Sequence, residues 1–292
     1  MLKVLILGAT GMLGHKLYQV LRPSADVVGT IRSGYKIISR YNFLEPTILI
    51  PRFDALQPNA PKQVIESIQP DVVVNCIGVI NKLLEKTGTE TARRLNAELP
   101  HELYRICRPR GIRLIHISTD CVFTGTKGRY TEDDIPDAVD VYGSTKALGE
   151  LREDGALTLR TSLIGRELHS SNGLLEWFIS RKGGEVEGWT NAIFSGFPTL
   201  HISRIVADVI ARHSGLSGLY NVAAEPISKF HLLSLINQAF GLNIVIKESP
   251  EPREDKSLDA AKFNKATGFI PLPWPQMIKE MAEDAAPYSK WR

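Results

Sequence analysis

The sequence predicts an α/β protein: a doubly wound parallel sheet with a small C-terminal lobe shaped for a substrate. Three observations carry this. Short β-branched runs alternate with longer helical stretches over the first 125 residues. The strand-like runs are apolar throughout, as strands covered by helices on both faces must be. Tryptophan is concentrated late in the chain, at Trp177, Trp189, Trp274 and Trp291, in segments of different texture.

The run Val4-Leu5-Ile6-Leu7 makes Lys3–Leu7 the first strand. Glycine breaks it within six residues of Lys3, so a strand is expected here and not a signal peptide. Met12–Leu21 follows as an amphipathic helix. Asp26–Ile31 reads as a strand, Ala60–Ile68 as a helix, Asp71–Ile77 as a strand, Thr91–Arg108 as a helix and Arg113–Ser118 as a strand. Ala156–Ser162 and Gly218–Ala223 supply later strands. Residues 1–165, rejoined by 199–224, are expected to form the larger domain. Segments 166–198 and 225–292 would form a lobe closing over the carboxyl edge of the sheet. The sequence shows no internal repeat or low-complexity linker.

Composition fits a soluble enzyme. The chain has 292 residues, 43% of them apolar and 23% charged, enough for a sizeable core and a second lobe. A net charge of +3 does not argue for a nucleic-acid polymer. Arg105, Arg108, Arg110 and Arg113 read as a solvated helix end, because no stacking aromatics are interleaved with them. No apolar stretch reaches the ~18 to 20 residues needed to span a bilayer. Cys76, Cys107 and Cys121 are odd in number and lack CxxC spacing, which suits a reducing cytoplasm without disulfides or a metal site.

Gly8, Gly11 and Gly14 lie within Gly8-Ala9-Thr10-Gly11-Met12-Leu13-Gly14, directly after the first strand. Glycines at this spacing let a strand turn sharply into a helix, and let backbone lie against a pyrophosphate that faces the helix N-terminal amides. A GxxGxxG alone is a weak signal; its position between strand and helix makes it a dinucleotide turn of Rossmann-like type. The second strand ends in Ile31-Arg32-Ser33, where a carboxylate would select NAD. Arg32 can pair with a 2′-phosphate, so NADP is favoured over NAD; a solvent-facing arginine is the alternative. Asp54 is a candidate for the adenine amino group, or a surface-turn residue.

Tyr142 and Lys146 are four apart, hence on one face of a helix. An ammonium beside a phenol favours phenolate and is expected to bring the tyrosine towards neutral pH, where it can give a proton to an alkoxide forming from a ketone. Thr119, at the end of the strand through Ser118, would be a second donor to the same oxygen. The two ends together read as a carbonyl reductase.

These residues resemble the extended short-chain dehydrogenase/reductase superfamily over essentially the whole chain. Within it, Ser118-Thr119-Asp120-Cys121-Val122-Phe123-Thr124-Gly125, Tyr130-Thr131-Glu132 and Tyr142-Gly143-Ser144-Thr145-Lys146-Ala147-Leu148-Gly149-Glu150 are similar to the dTDP-4-dehydrorhamnose reductase family. So are Leu159-Arg160-Thr161-Ser162 and Phe194-Ser195-Gly196-Phe197-Pro198-Thr199. The resemblance implies NAD(P)H-dependent reduction of the 4-keto group of a nucleotide-linked 6-deoxysugar, for surface polysaccharide. It makes Thr119, Tyr142 and Lys146 the catalytic set, with Lys146 also on the nicotinamide ribose. It places Gly8, Thr10, Gly11, Met12, Leu13, Gly14, Arg32, Asp54, Cys76, Ile77, Gly78, Ser118, Tyr142, Lys146 and Thr161 around the cofactor. Asn96 would be a relay or helix-packing residue. Cys121, Asn172, Trp189, Thr199 and Arg253 are candidates for the sugar nucleotide, and a homodimer is left open.

Two departures separate related activities. Sugar-nucleotide 4,6-dehydratases carry Asp-Glu after the active-site threonine; here Asp120 is followed by Cys121, which disfavours dehydration. In the similar GDP-fucose synthase family a cysteine at this place is an epimerising base, so a combined epimerase and reductase is one alternative. It needs an acid on the opposite sugar face; no matching histidine is evident, although His169 is near in sequence, and a buried strand-end cysteine is favoured. A non-catalytic NADP-binding regulatory subunit, as in the methionine adenosyltransferase β subunit of the same fold, is the other.

Overall fold

The computed structural model describes residues 1–34, 41, 43–45, 48–284 and 286–288; Trp291 lies outside them. Its strands are β1 (Lys3–Leu7), β2 (Asp26–Thr30), β3 (Leu49–Ile50), β4 (Val72–Asn75), β5 (Arg113–Thr119), β6 (Ala156–Thr161), β7 (Leu163–Ile164), β8 (Glu185–Trp189), β9 (Ala192–Phe194), β10 (Phe197–Pro198), β11 (Gly218–Asn221), β12 (Ile227–Ser228), β13 (Val245–Ser249) and β14 (Glu254–Asp255). Seven of them form one sheet in the order β11-β6-β5-β4-β1-β2-β3, every pairing parallel.

Helices α1 (Met12–Leu21), α2 (Ala60–Ile68), α3 (Leu99–Cys107), α4 (Val141–Leu148), α5 (Leu174–Ile179), α6 (Thr199–Arg212), α7 (Lys229–Phe240), α8 (Ala261–Thr267) and α9 (Trp274–Ala282) complete the frame. Successive strand residues face opposite ways, and each strand therefore feeds two cores. Val4, Ile6, Val72, Val74, Ile115 and Ile117 pack with Leu13 and Leu17 of α1 and Ile202 and Val206 of α6. Leu5, Leu7, Val73 and Leu114 pack on the other face with Val64 and Ile65 of α2 and Leu99 and Leu103 of α3. This two-sided burial is why the strands carry no polar alternation.

The stretch expected as one helix over Thr91–Arg108 is interrupted. Thr89–Ala92 is α-helical, Arg93–Glu98 is π-helical, and α3 follows. Arg113 is not part of a solvated helix end: it lies on β5, and its guanidinium donates to the carbonyls of Val209, His213 and Leu216 at 2.8–3.0 Å. Beyond the main sheet, β8 pairs with β13, β9 lies between β12 and β14, and β7 pairs with β10. Leu232 and Ile236 of α7 and Met277 and Ile278 of α9 join the same apolar cluster as the α1 face of the sheet. Trp274 is buried there, its indole N–H donating to the Glu225 carbonyl at 2.7 Å.

A candidate active site at the carboxyl edge of the sheet

Strand order reverses between β1 and β4, so the turns leaving these strands diverge and open a crevice at the carboxyl edge. The turn after β1 requires glycine for closeness: a Cβ on Gly14 would come within 2.1 Å of the Gly8 carbonyl oxygen. Gly11 caps α1 and has no side chain to satisfy the helix's first amides, which leaves them for an anion.

The opposite wall is built by α4. Asp140 caps it by accepting the Gly143 amide proton at 2.9 Å. Gly143 lets the helix press on the turn 120–122, because a Cβ there would meet the Cys121 carbonyl at 2.2 Å. Asn96, wholly buried in the π-helical segment, accepts from the Val79 amide at 2.8 Å and donates to the Val79 carbonyl at 2.9 Å and the Thr145 hydroxyl at 3.2 Å. It therefore ties the loop after β4 to the helix that bears Tyr142 and Lys146.

Between these walls lies a cleft of about 430 Å³. Gly11, Met12, Leu13, Cys76, Ile77, Gly78, Ser118, Thr119, Cys121, Tyr142, Lys146, Thr161 and Asn172 all line it. Gly8 and Thr10 belong to the turn after β1 and Gly14 to the first turn of α1, beside the cleft-lining Gly11, Met12 and Leu13. Arg32 is exposed just past the end of β2, and Asp54 accepts the Leu56 amide at 3.0 Å within its own turn. Three expected substrate contacts do not reach the cleft wall. Thr199 is 3% exposed and packs against Gly165, Trp189 lies under the Lys229 ammonium at 5.0 Å, and Arg253 is exposed beside Glu251. The cleft instead takes Ile80, Leu83, Ser162, Leu163, Glu167, His169 and Ser170. Ser162 and Leu163 directly follow β6, so their place after a carboxyl strand end was the available signal.

The protonation states differ from the expected phenolate. The Lys146 ammonium donates to the Ile117 carbonyl at 2.7 Å, and burial brings its pKa down to about 8 against the upward pull of Glu150. Burial, reinforced by Cys121 and Asp120, pushes the Tyr142 phenol above its ordinary range, with the Thr119 hydroxyl acting the other way. The phenol is thus kept loaded with its proton, the form a donor to a reduced carbonyl requires. Thr119 accepts from the Cys121 amide at 3.1 Å and donates to Asp120 at 3.2 Å. Burial raises the Asp120 carboxyl, and burial with the Asp120 charge pushes the Cys121 thiol up to about 12. Cys121 is therefore held as the protonated thiol at neutral pH. Among the described residues no group of His, Cys, Asp and Glu is arranged to hold a metal ion, and no helix is long and apolar enough to cross a membrane.

A glycine turn at a switch point and a Thr-Tyr-Lys set on the facing wall define an NAD(P)-dependent oxidoreductase of the extended short-chain dehydrogenase/reductase class. The particular family follows from comparison with known proteins: residues 2–286 match the family model described as the RmlD substrate binding domain, and the chain belongs to that dTDP-4-dehydrorhamnose reductase-like family. Among its relatives, the methionine adenosyltransferase 2 subunit beta of Danio rerio is 29% identical over 82% of this chain and 74% of its own. A dTDP-4-keto-6-deoxy-D-glucose reductase of Streptomyces niveus is 32% identical over 56% of this chain and 53% of its own. The solved dTDP-4-dehydrorhamnose reductase of Bacillus anthracis, in complex with NADP, shares the fold at a TM-score of 0.79 and 22% identity, covering 98% of this chain and 100% of that one. Other structures of the same fold hold NAD. The cleft fits a nicotinamide cofactor: Gly11, Met12 and Leu13 offer the helix terminus, and Ser118, Tyr142, Lys146 and Thr161 face the far end.

Proposed function

We propose that the protein is an NADPH-dependent reductase of a nucleotide-linked 4-keto-6-deoxysugar, working in the cytoplasm towards surface polysaccharide. The observation that carries this reading is the meeting of Thr119, Tyr142 and Lys146 on one wall of a cleft whose other end is the glycine turn. The nicotinamide, when bound, supplies the hydride. Thr119 polarises the ketone oxygen, Tyr142 gives it a proton, and Lys146, whose pKa of about 8 leaves it mostly charged at pH 7, stabilises the phenolate left behind. Arg32 at the end of β2 supports NADP, and the three free cysteines support a reducing compartment.

A second reading rests on His169. It lines the same cleft as Cys121, so a base and an acid of the kind an epimerase needs share the site. The protonated Cys121 thiol supports simple reduction instead. Relatives named as a regulatory subunit motivate a third, non-catalytic reading, and the intact Thr119, Tyr142 and Lys146 set supports catalysis against it. The test is NADPH oxidation with dTDP-, UDP- and GDP-linked 4-keto-6-deoxysugars, with product configuration read by NMR. Turnover with one nucleotide series is expected; absence of oxidation across the panel, in protein that binds NADPH, would favour the regulatory reading.

A further inference from the structure

The glycine turn and the C-terminal segment meet at His15. Its Nδ1 lies 2.8 Å from the Gly11 carbonyl oxygen and its Nε2 2.8 Å from the Tyr288 hydroxyl, across 273 residues of sequence. The ring is wholly buried, and burial holds its pKa down to about 4, so it is neutral. A carbonyl oxygen only accepts, so Nδ1 carries the proton. Nε2 is then bare and takes the single Tyr288 hydroxyl proton at 2.8 Å, in preference to the Asp284 carboxylate, which lies farther from that hydroxyl at 3.4 Å.

The Gly11 oxygen also takes the His15 backbone N–H at 3.1 Å. In a trans peptide the carbonyl and the following N–H point in opposite directions. Holding the Gly11 oxygen into the helix therefore holds the Met12 N–H outward at the helix terminus, on the wall that Gly11, Met12 and Leu13 present to the cleft. Beside this bond, Lys16 pairs with Asp284.

Tyr288 reaches a second element. The Arg166 guanidinium lies 4.7 Å from its ring centre. Arg166 donates to Glu176 at 2.7 Å, and the same Glu176 oxygen accepts the Glu167 amide at 3.1 Å. Glu167 in turn accepts from Ser170 and from the Gly173 amide, each at 2.8 Å. One tyrosine thus rests on both the anion-binding turn and the segment 166–173 that gives Glu167, His169, Ser170 and Asn172 to the cleft.

We propose that Tyr288, acting through His15, is a positioning residue for the cofactor's pyrophosphate and couples the glycine turn to the substrate-side segment. The proposal rests on the reading of that turn as the dinucleotide site. Tyr288→Phe keeps the ring against Arg166 and deletes the donor to His15. Losing one such hydrogen bond is expected to raise the NADPH dissociation constant and KM about 3- to 10-fold, with kcat changed less than about 2-fold. Tyr288→Ala also frees Arg166 and should raise the KM of the sugar substrate as well.

The experiment measures NADPH fluorescence titrations and steady-state kinetics on the full chain for wild type, Tyr288→Phe, His15→Ala and the double variant. Tyr104→Phe is the control, since its hydroxyl donates to the Asp154 carbonyl at 3.2 Å on the exposed surface. In the His15→Ala background, Tyr288→Phe should add nothing, because the path runs through His15. Additive effects of the two changes, or an unaltered dissociation constant in folded Tyr288→Phe, would overturn the proposal. Wild-type protein that binds neither NADPH nor NADH would instead overturn the cofactor reading beneath it.

Discussion

Replacing Lys146 by methionine should make the protein inactive and, at neutral pH, more stable. Lys146 is 5% exposed and its pKa falls from 10.5 to about 8, a difference of 2.5. At about 1.36 kcal/mol per pKa unit, holding the charged form costs the fold about 3 kcal/mol. Methionine fills similar volume and removes that cost, but it loses the bond to the Ile117 carbonyl, worth about 1 kcal/mol. The net expectation is about 2 kcal/mol of added stability at pH 7. Its pH dependence has a definite sign. Because the folded pKa is depressed, the unfolded chain binds more protons between pH 8 and 10.5, so wild-type stability rises with pH across that window. The advantage of Lys146→Met should shrink there and vanish by about pH 10. Urea unfolding midpoints at pH 7 and pH 10, with NADPH oxidation measured in parallel, give both readings. A variant less stable than wild type at pH 7, or a stability difference unchanged by pH, would refute the reasoning.

Tyr142→Phe removes the proton donor and should lower kcat by about 10²- to 10⁴-fold while leaving the NADPH dissociation constant nearly unchanged; unaltered turnover on a confirmed substrate would sink the mechanism. Arg32→Ala should weaken NADPH more than NADH in paired titrations, since only NADPH presents a 2′-phosphate, and equal weakening would show that Arg32 does not read that group. Cys121→Ser should keep turnover within a few-fold, and reduction in deuterated water should leave the carbons flanking the ketone unlabelled. Enzyme-dependent labelling that disappears in the serine variant, measured against a no-enzyme control, would instead assign Cys121 as an epimerising base.

The end of the cleft built on the glycine turn was legible because its residues are local in sequence. Gly8 to Gly14 fold back on themselves, Thr119 ends the plainly apolar strand β5, and Tyr142 pairs with Lys146 by their spacing of four rather than by an apolar pattern in 141–148. The short β3 escaped notice because two residues carry no periodicity, and the π-helical turn because Asn96 bonds to Val79, a partner 17 positions away. The substrate half was harder. Charge suggested Arg253 for a diphosphate, yet that side chain pairs with its neighbour Glu251 in the open. Asn172 reaches the cleft with Glu167, His169 and Ser170, because buried Glu176 and Glu167 organise the whole segment. One glutamate in a loop and another in a six-residue helix give no such signal when only neighbours in sequence are compared.

The same logic explains a buried ion pair that stability alone would not require. Arg160, wholly buried, donates through Nε and Nη2 to both Glu150 oxygens at 2.8 and 2.6 Å, while the Ser118 hydroxyl donates to the carboxylate at 2.8 Å. Asn221 accepts from Arg160, and the Phe123 ring lies 4.9 Å beneath the guanidinium. A well-packed apolar substitute for such a pair is often as stable or more so. Glu150 has a second effect: its charge raises the pKa of Lys146 against burial. With neutral side chains at 150 and 160, Lys146 would lose that support and spend more of its time uncharged at pH 7. On the proposed mechanism Lys146 sits dry beside the nicotinamide and stays charged to steady a phenolate, and a nearby carboxylate reconciles the two. That carboxylate, itself buried, needs Arg160.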